Sequence, residues 1–349
     1  MTMKDKWNIE EIFKNEISRA KKRGDIFLQH GLMGICVASY IMYKYTHEIK
    51  YKRTGDKLLD YVIEHIHTNC YLEIPNGICG IATGIMYLIR TDAIEGDETM
   101  ILKEIDEYIY RGICSKMEEE STDIRNYQDT ILDILLYYSF RINTNYGGDI
   151  YEKEFQTQFF LFLLNRIYIQ HTSDFYQEPF PPSSSYKLFK FLFILSNAVK
   201  NESCKERTIH ILKECEILIL SHFPYYEANR YLILCALCKL KESVTLPHKW
   251  EVYIHTLKNH LTPQHIIFDE FETNSLYISK GLCGIYFLSH LFPSIDIKFS
   301  LSDLKKKVQI SDYYITPYYS YIQKRGFVGL DGILGLIVVF KIMEKYEKI

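Results

Sequence analysis

Nine cysteines, twelve histidines and 44 acidic residues are the side chains that could carry metal, nucleophilic or acid–base chemistry in this chain. Cys235-x-x-Cys238 has half the spacing of a zinc or redox motif. It has no second pair, and it sits inside the apolar run Tyr231–Leu240, so a pair of buried core thiols is the better reading. His65 and His67 stand two apart on a predicted amphipathic helix, roughly 200° apart around its axis. They share no face, cannot jointly hold a metal, and read as solvated or capping residues near the helix end. Asp25, Glu73, Asp123, Asp129, Glu227 and Asp331 fall near predicted loops. Two of them set roughly 5–10 Å apart could hydrolyse a glycosidic bond. For most, helix capping and ion pairing is the plainer role.

What must position these residues is legible in the 17 glycines. Four segments share Gly-x-x-Gly followed by an apolar run of helical length. The pairs are Gly31/Gly34, Gly77/Gly80, Gly281/Gly284, and either Gly326/Gly329 or Gly332/Gly335. Gly31 to Gly77 spans 46 residues, Gly281 to Gly332 spans 51, and Gly77 to Gly281 spans 204, four steps of 51. Three further units are therefore expected near residues 128, 179 and 230. Apolar runs without the glycines occur there, at Thr130–Phe140, Tyr186–Val199 and Tyr231–Leu240. Between the apolar runs lie amphipathic helices. Leu58, Leu59, Val62, Ile63 and Ile66 follow i, i+3, i+4 spacing, and the stretches from Met100 and Ser203 read alike. Seven hairpins, each an apolar helix paired with an amphipathic one, stack as a solenoid or close into a ring. Apolar helices hydrophobic nearly all round favour a closed double ring. No composition break marks a boundary, so residues 1–349 read as one domain. Without Cβ atoms, a Gly pair lets another backbone approach closely. It also leaves first-turn N–H groups open to an anion or a substrate carbonyl.

These Gly-x-x-Gly helix starts at a period near 50, with the closing segment from Gly329 (GLDGILGLIVVFKIM), resemble the lanthionine synthetase C-like family. The resemblance implies an all-α, (α/α) toroid of seven helical hairpins that modifies ribosomally synthesised peptides, as in lantibiotic biosynthesis. Enzymes of that family hold Zn²⁺ with two Cys and one His, and the open fourth position activates a substrate thiol. One Cys lies two residues before the fifth Gly pair; the other Cys and the His directly precede the sixth. Here Ser279 and Lys280 stand before Gly281, and Tyr226 aligns with the first Cys. All three ligands are replaced, and Lys280 brings a cation to the metal's place. The zinc site reads as lost, with no metal, no cofactor and no zinc-dependent cyclase chemistry. The resemblance also puts an acid at Asp123, the one catalytic candidate carried over, and replaces the acid/base His by Ser183 or a neighbour. A zinc enzyme drawing on Cys79, Cys283 or His30 is the competing alignment.

His30, Asn76, Lys280 and Arg325 each precede a Gly pair. In a toroid they would gather at one end of the cavity as a polar, net-cationic floor for a peptide carboxylate, a phosphate or an acidic side chain. Tyr-rich stretches such as Ser311–Gln323 suit peptide recognition. The net charge of −3 argues against nucleic acid as a partner. No stretch reaches ~18 unbroken apolar residues, so no transmembrane segment is expected. No signal-type apolar region opens the sequence, and the odd, irregular cysteines read as free thiols in a reducing cytoplasm. The expected function is modification or binding of a precursor peptide by a cyclase-type pseudoenzyme, with a modification enzyme or transporter as a further partner. The alternative is an α/α-toroid carbohydrate-active enzyme using a carboxylate pair.

Overall fold

The computed structural model describes residues 8–66, 70–118, 124–144, 149–170, 174–273, 275–315 and 328–346. Among them are fourteen α-helices of nine or more residues and no strand. In chain order they are α1 (Ile9–Arg23), α2 (Leu32–Thr46), α3 (Ile49–Glu64), α4 (Ile78–Arg90), α5 (Glu98–Glu118), α6 (Ile124–Arg141) and α7 (Ile150–Gln170). There follow α8 (Lys187–Ala198), α9 (Glu202–Ser221), α10 (Glu227–Lys241), α11 (His248–Asn259), α12 (Leu282–Leu291), α13 (Leu301–Gln309) and α14 (Ile333–Tyr346). The even-numbered helices are the apolar runs of the sequence. The three units lacking glycine pairs appear as α6, α8 and α10.

Helix character follows from side-chain placement. α1 opens on Asn8, whose side chain accepts from the Glu11 amide, carries Glu10 and Glu11 in its first turn and Lys21, Lys22 and Arg23 in its last, and stops at left-handed Gly24. α3 buries Tyr51, Gly55, Leu58 and Val62, a 4-3-4 spacing that turns one stripe inward. In α2 every residue from Leu32 to Met42 is buried. A sequence that long without a wet position suits only a helix covered on all sides. Each fully buried Leu or Ile there contributes about 1.5–3 kcal/mol.

Gly31, Gly77 and Gly281 are the N-caps of α2, α4 and α12, and Gly332 immediately precedes α14. The closing pair is therefore Gly332/Gly335. The glycines are required by the chain's own incoming loop, which crosses back over the first turn. A Cβ on Gly34 would lie 2.1 Å from the Leu28 carbonyl oxygen, on Gly80 1.9 Å from that of Ile74, and on Gly335 1.8 Å from that of Leu330. The same loop closes the first-turn amides. Leu32, Ile78 and Leu282 donate to the carbonyls of Asp25, Tyr71 and Ser275 at 2.8, 2.8 and 3.0 Å, each seven residues upstream. Met33 and Gly34 donate to Ile26 and Phe27 in the same way. This corrects the expectation that the Gly pairs leave open N–H groups for an anion: loop carbonyls occupy three such amides at α2 and the first one at α4 and at α12.

The helices group into two compact units. One holds residues 1–120, 276–279 and 304–349; the other holds 121–275 and 280–303. In the first, α14 packs against α2 and α2 against α4, so the last apolar helix neighbours the first; α1 and α3 pack against α2, and α5 against α4. In the second, α6, α8, α10 and α12 pack in that order, with α7, α9 and α11 beside them.

Candidate functional site

In the first unit, the loops entering α2 and α14 meet the segment Leu276–Ser279. The buried carboxylate of Asp331 is their common point. Its Oδ1 accepts from the Ser279 amide at 2.9 Å; its Oδ2 accepts from the Ser279 hydroxyl and the Gln29 side-chain amide. Gln29 Nε2 also reaches Ser279 Oγ, and His30 Nε2 lies 3.9 Å from Asp331 Oδ2. The Asp331 amide donates to the Gln29 carbonyl at 3.2 Å, and the adjacent Gly329 amide donates to buried Glu16 at 2.9 Å. Asn76 is exposed, one residue from Pro75, whose carbonyl accepts from the Gln29 amide at 3.2 Å. The structure thus brings together His30, Ser279 and the loop of Asn76. Arg325 lies outside the described residues, as do Asp123 and His67.

Chemically this is a saturated carboxylate network. Ser279 is engaged by oxygen and amide partners, so its hydroxyl is oriented toward an anion. Among the described residues, no group of three or more His, Cys, Asp and Glu side chains is placed to hold a metal ion. Cys79 and Cys283 are fully buried second residues of α4 and α12, and His30 leans on Asp331. The alternative zinc set therefore does not assemble among the described residues. Cys235 and Cys238 lie in α10, with Cys235 fully buried, and burial pushes both thiols upward. His65 caps α3, its Nδ1 2.8 Å from the Tyr61 carbonyl and its ring stacked on Tyr61.

In the second unit, polar side chains converge on the start of α10, where no glycine pair exists. Tyr226 is its N-cap residue. Glu178, from the loop before α8, accepts from the Tyr225 and Tyr226 amides at 2.6 and 3.2 Å and from the Asn229 side chain at 2.9 Å. Glu270 accepts from the Glu227 and Ala228 amides at 2.5 and 2.7 Å. Glu227 in turn accepts from the Thr262 amide at 2.5 Å, and His265 Nδ1 lies 3.1 Å from Glu227 and 3.8 Å from Glu270. Burial raises the Glu270 carboxyl, while the two amide donors oppose the shift. Carboxylates here do at α10 what loop carbonyls do at α2, α4 and α12: they satisfy amides that would otherwise be orphaned.

The loop bearing Glu178 also carries Phe180, 5.4 Å from the Tyr226 ring, and buried Ser183, whose hydroxyl lies 2.5 Å from that of Ser185. So Ser183 and Tyr226 belong to one neighbourhood. Beside them, buried Tyr186 meets His222 Nε2 at 2.6 Å, and Tyr176 packs edge-on against the imidazole. Burial lowers the His222 pKa below 6.5, with Glu178 opposing, and burial and Glu178 together raise that of Tyr186. The result is a neutral phenol against a neutral imidazole, a pair able to relay a proton without holding charge. Lys280 is exposed. Asp129 pairs with Lys187 at 3.4 Å, the plainer role expected of it.

Gln29, Glu178, His222 and Glu270 escaped sequence reasoning. Gln29 had a signal, since it directly precedes His30 and a Gly pair. The other three act on residues 36 to 51 positions away, which no local pattern encodes.

No helix among the described residues is long and apolar enough to cross a membrane. No protein-family model matches the chain, and no curated protein matches it. A solved structure described as "Nisin cyclase" is similar over 97% of this chain and 95% of its own, with a TM-score of 0.61 and 14% identity. What that likeness shows is the fold: an all-α chain of the (α/α)-toroid class, as the glycine-marked repeats predict.

Proposed function

We propose that this chain is a divergent lanthionine synthetase C-like protein, one domain over residues 1–349, that binds or modifies a ribosomally synthesised peptide without zinc-dependent cyclase chemistry. Two things support the reading: the fold likeness to a protein described as a cyclase of nisin, and the replacement of each expected metal ligand. The observation that carries it is Ser279. It stands where the resemblance places a thiolate, and its hydroxyl and amide are tied to Asp331. Tyr226 and Lys280 supply a phenol and an ammonium in place of the other thiolate and the imidazole. A phenol, a hydroxyl and a cation do not suit Zn²⁺, which prefers thiolate and imidazole.

In this reading each unit presents peptide-binding side chains on the loops before its own apolar helices. His30, Asn76, Lys280 and Arg325 take carboxylates or carbonyls of the peptide, and Ser183, Tyr226 and Ser279 give hydrogen bonds. Asp123 is the candidate acid. The protein acts in the cytoplasm, beside a modification enzyme or transporter. The test is titration of purified protein with precursor peptides encoded near its gene, together with metal analysis. Binding of such a peptide without bound zinc is the expected result. Stoichiometric zinc lost on Cys283→Ser refutes the reading; hydrolysis of a glycan abolished by carboxylate substitutions would favour the carbohydrate-active alternative.

A further inference from the structure

The outward face of α7 carries an apolar stripe, of which the fold engages Asn165, accepting from Arg207 Nε at 2.7 Å, and Phe155, stacked on Phe159 at 6.4 Å. Its inward face buries Phe159, Phe160, Leu163, Leu164 and Ile167 in the second unit. On the opposite side Tyr151, Phe155, Gln158, Phe162, Asn165 and Ile169 follow one another at steps of 4, 3, 4, 3 and 4 residues. Such alternation is the seam spacing of a helix that pairs with another helix. Four of the six are large and apolar, and their exposures are 90% for Tyr151, 40% for Phe155, 51% for Phe162 and 75% for Ile169; Ile150, beside them, is 75% exposed.

We infer that this stripe is a self-association surface, on which α7 of a second copy of the chain packs antiparallel. Three observations commit it to a second copy. First, a fully exposed large aromatic or aliphatic residue offers roughly 200 Å², so the four apolar residues of the seam expose about 500 Å² per chain, as much as the ~300–600 Å² of the largest patch on a typical monomer. Two copies bury about 1,000 Å², the size of a weak, reversible interface just below the ~1,200–2,000 Å² of a stable one. Second, antiparallel seam pairing sets Tyr151 opposite Ile169 and Phe162 opposite Gln158, so a two-fold axis matches the stripe to itself. Third, the charges on the helix are polarised. Glu152 and Glu154 lie near its start and outweigh Lys153 between them, while Arg166 lies near its end, its Nε buried with no hydrogen-bond partner. Antiparallel pairing brings the acidic end of one copy to the basic end of the other and opposes the two helix dipoles.

The test is sedimentation velocity on the full chain between about 1 and 100 μM, the range in which interfaces of this size associate. The wild type should dimerise. Tyr151→Glu and Ile169→Lys alter side chains that touch solvent, so each should leave the circular-dichroism melt unchanged and weaken the dimer by at least about 30-fold, the loss expected of an interface anchor. Mixing the two variants should restore a dimer, because antiparallel pairing sets the new carboxylate against the new ammonium. A misfolded variant cannot produce that rescue. The proposal is overturned by a wild type that stays monomeric at 100 μM, by variants that dimerise as well as the wild type, or by a mixture that stays monomeric. Flotation of a monomeric wild type with phosphatidylcholine vesicles would assign the stripe to a lipid surface instead.

Discussion

Replacing Asp331 by alanine should loosen the unit that contains both chain ends. The carboxylate is buried and receives the Ser279 amide, the Ser279 hydroxyl and the Gln29 side-chain amide. Each donor left unsatisfied in a buried place costs about 1–3 kcal/mol. The Ser279 and Gln29 side chains are half-exposed and can turn to water, so only the Ser279 amide bears its full cost. The sum is then roughly 3 kcal/mol of stability, with one main-chain donor dominating. At the ~2–4 °C per kcal/mol of a domain of 150–250 residues, and somewhat less for a longer chain, Tm should fall by about 4–9 °C. Asp331→Asn keeps one acceptor oxygen for the amide and should lose about half as much. Calorimetry reads the shift in the transition of that unit. Hydrogen exchange at Ser279 locates it, and protection there should drop in the alanine variant alone. An alanine variant melting within about 1 °C of the wild type would refute the idea that Asp331 ties these loops together.

Gly34→Ala, Gly80→Ala and Gly335→Ala each drive a Cβ within about 2 Å of a loop carbonyl oxygen. They should cost more than the ~1–3 kcal/mol of ordinary overpacking, read by denaturant titration. Gly24→Ala, in open space at φ +70°, should cost only about 1–2 kcal/mol. Folding lowers the His222 pKa, so its neutral form stabilises the fold above the ordinary value of 6.5 and that contribution fades as pH falls below it; His222→Gln should flatten the stability–pH curve there. Six of the nine cysteines are buried, and burial pushes Cys204 to about 12 and Cys215 to about 11. A thiol reagent should therefore label at most Cys70, Cys114 and Cys238 quickly in native protein and all nine after unfolding. Dialysis against a chelator should leave Tm unchanged, measured by calorimetry before and after.

Much of the fold was legible because its causes are local. A glycine at a helix start is demanded by a loop only a few residues upstream, so the pairs at Gly31, Gly77, Gly281 and Gly332 mark their helices in the linear chain. The apolar runs between them have no wet face, and that alone separates the even helices from the odd ones. The period then places α6, α8 and α10 where the glycines are gone. That positions 226, 279 and 280 carry a phenol, a hydroxyl and an ammonium is likewise a matter of residue identity.

Tertiary structure decided what those residues touch. The first-turn amides that looked open are closed by loop carbonyls, because the geometry that excludes a Cβ is the geometry that brings a carbonyl within bonding distance. Asp331 stood in the sequence as one acid among six; only folding sets it against Ser279, 52 residues away, and Gln29, 302 away. Glu178 and Glu270 cap α10 from other segments, since a buried helix start without a glycine loop must find its acceptors elsewhere. The stripe on α7 was written in the chain as a 4-3 alternation, but an alternation of that kind reads equally as core. Only the packed structure shows that α7 buries its other face and leaves the large side chains of this one exposed.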